Sequence, residues 1–442
     1  MKKIQISDHF TVSAILLFSL PSIGMQLVEN TYQVADGYFI SNYIGPSAFA
    51  AENLIFPPLI IAAGIGLMFG SGASALISRS LGEGDNEKAC RQLSLAAGIL
   101  SVLAVVISIL LFLLMPRIAA WVGAPEALIP QCVEYGRILA ACMPFGILNA
   151  AFHPLLITAD RPGLGFLVSF VNAVMNVLLD WAAVALLGWG LTGAALATGL
   201  AWVSSAVIPL LWFMNKRHPL HFSSFRWNGK ELGQTCYNGS SEMADAISYA
   251  LIAMLFNAQL LRYIGEQGVD AYAVSEYVSG VFLAVFFGIA MTINPVVGYH
   301  LGQNNKEELR SIRKNGFTLM GALGITMAAV SYAFAPQIAR IFVGYDAELT
   351  ALSVEAMRII AFSYILGGIT TLSSSFFTGM GDGTASLAVA VVKSFAVPLA
   401  ALLILPRLFG QTGIWAVAPL AEVCALACAA FFFIRYRKKM LL

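Results

Sequence analysis

Long, uniformly apolar runs follow one another along almost the whole chain, near residues 11–37, 51–77, 93–115, 133–158, 163–186, 191–214, 240–264, 272–300, 316–338, 354–378, 385–407 and 413–436. Crossing the hydrocarbon of a bilayer as a helix takes roughly 20 apolar residues, because only a helix satisfies its own backbone there. Closed barrels are built from alternating strands of about ten residues, and these runs are too long and too uniformly apolar for that. The pattern predicts an all-α membrane protein with twelve transmembrane helices.

Composition agrees: 59% of residues are hydrophobic, 11% are charged and mean hydropathy is +0.79, far from the balance of a soluble domain. A net charge of +1 carries no basic excess for nucleic acid. With the N-terminus in the cytoplasm, eighteen of the 25 Lys and Arg fall on that side, among them Lys2, Lys3, Arg79, Lys88, Arg437, Lys438 and Lys439. The positive-inside rule therefore predicts a multi-pass plasma membrane protein with both termini cytoplasmic. Six scattered cysteines have no metal-binding spacing and read as small apolar helix residues. Residues 1–10 are polar and lack a cleavage-type site, so the first run is expected to be a retained helix.

The chain also repeats itself. GEGDNEKACR at 82 faces GQNNKEELRS at 302, TADRPG at 158 faces TGMGDG at 378, and GLTGAALAT at 190 faces GQTGIWAVA at 410, each 220 residues on. EYGRILAAC at 134 matches EAMRIIAFS at 355 with a slip of one. The matched residues include Gly, Thr, Asp and Arg, which apolar composition does not supply, so duplication is the simplest account. Six spans per half make the halves parallel repeats, two six-helix bundles at 1–220 and 221–442 with a cleft between them. Their join is NKRHPLHFSSFRWNGKELG at 215–233, whose charge and turn residues fit a cytoplasmic linker rather than a packed element.

Ionisable residues inside spans are costly, roughly 2.5 to 3.5 kcal/mol on insertion scales, and they normally line a cavity or pair. Glu29 and Asp36 fall in the first span, Glu52 near the start of the second and Asp180 in the fifth. Glu242 and Asp245 begin the seventh, Glu276 lies in the eighth and Glu422 in the twelfth, with Lys393 as the opposite charge. The fifth span reads NAVMNVLLD, which puts Asn172, Asn176 and Asp180 on one helical face. Oxygen ligands on one face suit a proton or a small hard cation such as Na⁺. Asn172 taken alone fits an interhelical hydrogen bond, whereas the charge cost at Asp180 and Asp36 favours function. His153, with Asn149 one turn earlier, fits a structural donor better than a pH-sensing group. Pro21, Pro57, Pro58, Pro144, Pro154, Pro295 and Pro398 interrupt the spans and would permit bends.

These residues carry a resemblance to the multidrug and toxic compound extrusion (MATE) antiporters that runs essentially end to end. Its carriers are LPSIGMQLVENTYQVADGYFI with Pro21 and Asp36, SRSLGEGDNEKACR, TADRPG, the fifth span with Asn176 and Asp180, GLTGAALAT ending in Thr198, and LPRLFGQTGIWAVAPLAE. The resemblance implies a drug or organic cation antiporter driven by H⁺ or Na⁺, with two lobes around a V-shaped cleft and no cofactor. It places ion coupling on Asp36, Asn176, Asp180 and Thr198, and the substrate cavity on Glu29, Tyr32, Asn149 and His153. Asn172, Glu52 and Glu276 are added to that cavity as polar and acidic positions suited to small lipophilic cations. The implied partners are the lipid bilayer and such substrates, and the chain is expected to act as a monomer. In another branch of the family an acid sits in the middle of the seventh span; the stretch around Tyr249 has none.

Two other functions are weighed. A lipid-linked oligosaccharide flippase shares the two-lobe design but calls for a cationic cleft, whereas eight intramembrane acids face one Lys here. A membrane-embedded enzyme would need a constellation such as HExxH or GxSxG, and neither motif occurs.

Overall fold

The structure is a computed structural model describing residues 4–440. Lys2 and Lys3, and the side chains of Arg437, Lys438 and Lys439, all counted above on the side of the termini, lie outside the described residues. Among the described residues, twelve helices are long and apolar enough to cross a membrane. The first half contributes α1 (Val12–Ile44), α2 (Pro46–Gly82), α3 (Asn86–Trp121), α4 (Ile129–Thr158), α5 (Pro162–Leu186) and α6 (Gly190–Met214). A short α7 (Gly229–Asn238) precedes the second six. These are α8 (Ser240–Tyr263), α9 (Glu266–Gly302), α10 (Lys306–Val343), α11 (Ala347–Gly379), α12 (Gly383–Phe409) and α13 (Gln411–Tyr436). Several overrun the predicted spans by four or more residues at each end, because capping side chains such as Asp85 and Asn305 carry the helices into the polar loops. Apolar surface faces outward as lipid contact requires: α3 has the highest hydropathy, 3.0, yet only 17% of its most apolar window is buried in protein.

Duplication is visible in the backbone. Left-handed turn positions recur 220 residues apart at Gly45 and Gly265, at Gly84 and Asn304, and at Gly190 and Gly410. One interhelical bond recurs as well, from the Thr192 hydroxyl to Glu134 and from the Thr412 hydroxyl to Glu355. The first bundle is centred on apolar side chains of α2, α3, α4 and α6, and the second on those of α8, α9, α11, α12 and α13.

The bundles meet at the end that carries the termini. There Phe18 and Ile23 of α1 pack with Phe286 and Ile293 of α9. Helices α2 and α9 approach so closely that a Cβ on Gly82 would lie 2.0 Å from the Tyr299 carbonyl oxygen, and one on Gly302 2.1 Å from that of Arg79. Farther along, the Asn30 amide donates to the Gly280 carbonyl at 3.1 Å. Beyond that contact Val34, Tyr38 and Tyr277 are exposed, and the two bundles diverge into a V-shaped cleft.

A strap closes the same end. The Ile6 amide donates to Asp160 at 2.7 Å, in the loop between α4 and α5. The Phe10 amide donates to Glu308 at 2.8 Å, and His9 Nδ1 lies 2.6 Å from the same carboxylate, in the first turn of α10. The residues before α1 thus bind a loop of the first bundle and a helix start of the second.

Two expectations need amendment. The linker is packed rather than loose: Leu220 is buried, the Ser223 amide donates to Ser94 of α3 at 2.7 Å, and residues from 229 form α7. Asn228 caps that helix through Lys230 and Glu231, a signal present in the sequence. The prolines at 21, 57, 58, 144, 154 and 295 lie inside continuous helices and do not interrupt them, whereas Pro398 directly follows an irregular turn. Irregularity occurs instead as π-helical turns at Ile40–Ile44, Trp181–Leu186 and Val392–Ala396, within α1, α5 and α12.

Candidate ion and substrate site

Two of the π turns, those of α1 and α5, pack against each other inside the first bundle. A π turn widens the helix by one residue and re-aims the side chains beside it. Asp36 lies one turn before the first, and Asp180 is the last α-helical residue before the second. Their carboxyl groups meet, and Glu52 from α2 meets Asp36 from the other side. Asp180 is fully buried and Asp36 nearly so. Among the described residues none of the three forms an ion pair.

Amides and hydroxyls complete this pocket. Asn176, one turn before Asp180 and fully buried, donates from Nδ2 to the Thr198 hydroxyl of α6 at 3.1 Å. Asn176 Oδ1, both oxygens of Asp180, Asp36 Oδ1 and Glu52 Oε2 then have no hydrogen-bond donor. Carboxylates and amide oxygens only accept, so acceptors facing one another in a buried site call for a proton or a cation among them.

A second group lies deeper along the same bundle. His153 Nδ1 is 3.2 Å from Glu29 Oε1, and the Ser169 hydroxyl reaches both Glu29, at 3.2 Å, and His153 Nε2, at 3.3 Å. The Tyr32 hydroxyl lies against Asn172 and Trp202 and joins this group to the α5 stripe. Asn149 and Asn172 are buried with their Oδ1 atoms unpartnered. Asp36, Asn176, Asp180, Thr198, Glu29, Tyr32, Glu52, Asn149, His153 and Asn172 therefore all line the interior of one lobe. Glu276 does not join them; it lies in α9 of the second bundle, against the Tyr272 hydroxyl.

Glu52 belongs with the ion candidates by position, although nothing in the spacing of its helix points to Asp36. Tyr135 of α4, buried near all three acids, is a further member that sequence reasoning misses, since a tyrosine amid apolar residues carries no signal of its own. Ser169 is missed as well. It stands three residues before Asn172, so helical spacing extends the polar stripe of α5 back to it, but its contact with His153 of α4 exists only in three dimensions.

Several other ionisable groups within the spans of the second bundle have polar partners. Lys393, in the π turn of α12, lies 3.1 Å from Glu422 and donates to Thr371 at 2.7 Å. Thr370 donates to the same Glu422. Asp245 accepts from Ser394 at 2.6 Å, and Glu242 accepts from Ser71 of the first bundle at 3.3 Å.

Fold and site together define a duplicated, two-lobed polytopic membrane protein of the transporter class. The MatE family model matches residues 21–182 and again residues 243–402, and the chain belongs to that family. It is 23% identical over 426 residues to the multidrug export protein MepA of Staphylococcus aureus (strain MSSA476), an alignment covering 95% of this chain and 93% of the relative. A solved structure described as MATE in complex with MaL6 superposes with a TM-score of 0.90 at 22% identity, covering 100% of this chain and 98% of that one. Another, described as the outward-facing conformation of a multidrug resistance MATE family transporter of the MOP superfamily, does so with a TM-score of 0.89 at 22% identity and the same coverage.

Proposed function

We propose that this protein is a secondary antiporter that exports lipophilic organic cations, drugs and other toxic compounds in exchange for H⁺ or Na⁺ by alternating access. The observation that carries the reading is the set of donor-free buried oxygens on Asp36, Glu52, Asn176 and Asp180, gathered without a basic side chain, an acceptor set that suits a proton or a cation. Na⁺ would draw its ligands from these oxygens and the Thr198 hydroxyl. A proton would be held between the touching carboxyl groups. The multidrug export function of the staphylococcal relatives supports the substrate class. Acids without a basic partner in this lobe disfavour a flippase for pyrophosphate-linked lipids.

In this reading the chain works as a monomer in the plasma membrane, with both termini in the cytoplasm and the lobes formed by residues 1–220 and 221–442. Binding of the ion at the first-lobe site discharges the carboxylates. Helix α1, which carries Glu29, Tyr32 and Asp36, repacks and releases the substrate when the cleft faces outward. Exchange requires ion and substrate to favour different states, because a ligand that binds both states equally shifts nothing.

Ethidium efflux from loaded right-side-out vesicles, with Na⁺ and pH gradients imposed separately, tests this. Asp36→Asn and Asp180→Asn should each lose gradient-driven efflux by more than about tenfold while inserting normally, the scale expected when a titrating or ligating group is removed. Efflux at the native rate in both variants rejects the assignment.

A further inference from the structure

The segment that joins the two lobes is laid along α3 in register. The His221 amide donates to Cys90 Sγ at 3.5 Å and the Ser223 amide to Ser94 at 2.7 Å, and the Phe225 ring lies against Gly98, where a Cβ would sit 3.2 Å from it. Each step of two linker residues thus matches four residues of the helix, about 6.5 Å in an extended chain against about 6 Å along a helix. Helix α3 starts at the end that carries the termini, so the linker runs from that end inward. The apolar run of α3 begins near residue 93, and Gly98 lies about 7 Å past that point. By Glu231, which accepts from Gln92 of α3 at 3.2 Å, the chain has come back out.

The tip of this excursion is apolar and open, with Phe225 53% and Trp227 67% exposed. From Gly98 the same face of α3 continues through Val102, Val105, Ile109 and Leu113, all exposed on a helix whose outer side meets lipid. Phe225 caps that stripe, so the tip stands where acyl chains end and headgroups begin, the level that aromatic rings with a polar neighbour prefer. Arg226 sits between the two rings, and Lys216, Arg217 and Lys230 stand at the base of the excursion. All four are exposed, and residues 215–230 contain no acid. Among the described residues none of the four takes part in an ion pair.

We infer that residues 221–228 form a wedge in the leaflet on the side of the termini, and that Arg226 at its tip, with Lys216, Arg217 and Lys230 at its base, binds the phosphate of an anionic phospholipid. A guanidinium grips phosphate through two parallel hydrogen bonds and keeps its charge, and its stem lies along acyl chains while its head reaches the headgroups. The basic side chains at the base add to the attraction of an anionic surface with no acid to oppose them. A water-soluble acidic partner fits poorly, because the tip lies below the level that such a partner reaches. The wedge is held to α3 of the first lobe and runs on into α7, whose Tyr237 hydroxyl bonds Thr384 of the second at 2.7 Å. A lipid bound there is therefore tied to both lobes. The inference stands apart from which ion and which substrate are exchanged.

Quenching of a bimane label on Ser224→Cys, in the full-length protein lacking its native cysteines, tests it. The protein is reconstituted in phosphatidylcholine vesicles that hold a small, equal fraction of either phosphatidylglycerol or phosphatidylcholine with a nitroxide high on the acyl chain. Both spin-labelled lipids should quench the label, and the phosphatidylglycerol should do so about threefold more strongly or better. Arg226→Gln with Lys230→Gln should abolish that preference, whereas Arg226→Lys, which keeps the charge, should hold it within about twofold. Quenching by the labelled phosphatidylcholine should persist in the double variant, which separates loss of the phosphate site from loss of the fold. Inorganic phosphate in excess, at constant ionic strength, should leave the preference intact; its loss would assign the site to free phosphate and overturn the lipid. No quenching by either lipid overturns the wedge. Equal quenching by the two in the native protein, or a preference unchanged in the double variant, overturns the headgroup site.

Discussion

At the scale of single residues, the protein is organised by where a buried charge finds its complement. Lys393 and Glu422 find each other, with Thr370 and Thr371 filling the remaining valences. Removing one member leaves the other stranded, which costs about 3 to 5 kcal/mol in buried pairs, whereas replacing both is commonly neutral. Lys393→Met should accordingly lower the thermal unfolding midpoint in detergent, and Lys393→Met with Glu422→Met should recover most of the loss. Asp36, Asp180 and Glu52 have no such complement. Asn176 is fixed by its bond to Thr198, a contact of about 1 kcal/mol. Thr198→Val should raise the half-saturating ion concentration for transport about fivefold, a change of that same size. Thr198→Ser, which keeps the acceptor, should behave as the native protein does. The α5 stripe is legible in the sequence because its spacing of four is local. The partnership of Glu52 with Asp36 is not, because it joins separate helices and no periodicity encodes it.

At the scale of elements, the twelve spans are readable because hydrocarbon thickness dictates their length and lipid dictates their composition. The repeat is readable because its loops kept Gly and capping residues that the fold still uses: Asp85 and Asn305, 220 residues apart, each cap the helix that follows. The π turns of α1 and α5 are not readable, since they depend on how those helices pack, and all the predicted prolines except Pro398 point to positions where the helices in fact run through. Helix α7 is hidden because its ten residues are polar and its packing is tertiary. The seam between α2 and α9 tolerates no side chain at Gly82 or Gly302. Gly82→Val should force the termini-bearing ends apart, lengthening distances between spin labels placed on the first turns of α3 and α10; unchanged distances would show that the seam absorbs the added carbons elsewhere.

At the scale of the whole molecule, the two bundles are closed against each other at one end by an apolar seam and a strap, and parted at the other. In the exchange proposed above, opening at this end breaks the bonds of Glu308 to His9 and Phe10. Glu308→Ala should therefore favour the state open towards the termini. Ser78 is buried beside Gly298, and in a background lacking the native cysteines the thiol of Ser78→Cys reports on that opening. It should react faster with a polar maleimide in inside-out vesicles when combined with Glu308→Ala. Equal reaction rates would show that the seam alone holds that end shut.

The strap also imposes an order on biogenesis. Glu308 stands 298 residues after Phe10, so the segment ahead of α1 is made long before its neighbour in α10. Until α9 and α10 have been made, the segment ahead of α1 lacks its partners His300 and Glu308 and has the loop at Asp160 to hold. Closing so long a loop carries an entropic cost that local helix formation does not. The first lobe must consequently insert and stand alone while its latch waits, and a bulky fusion ahead of residue 4 would burden assembly at its final step.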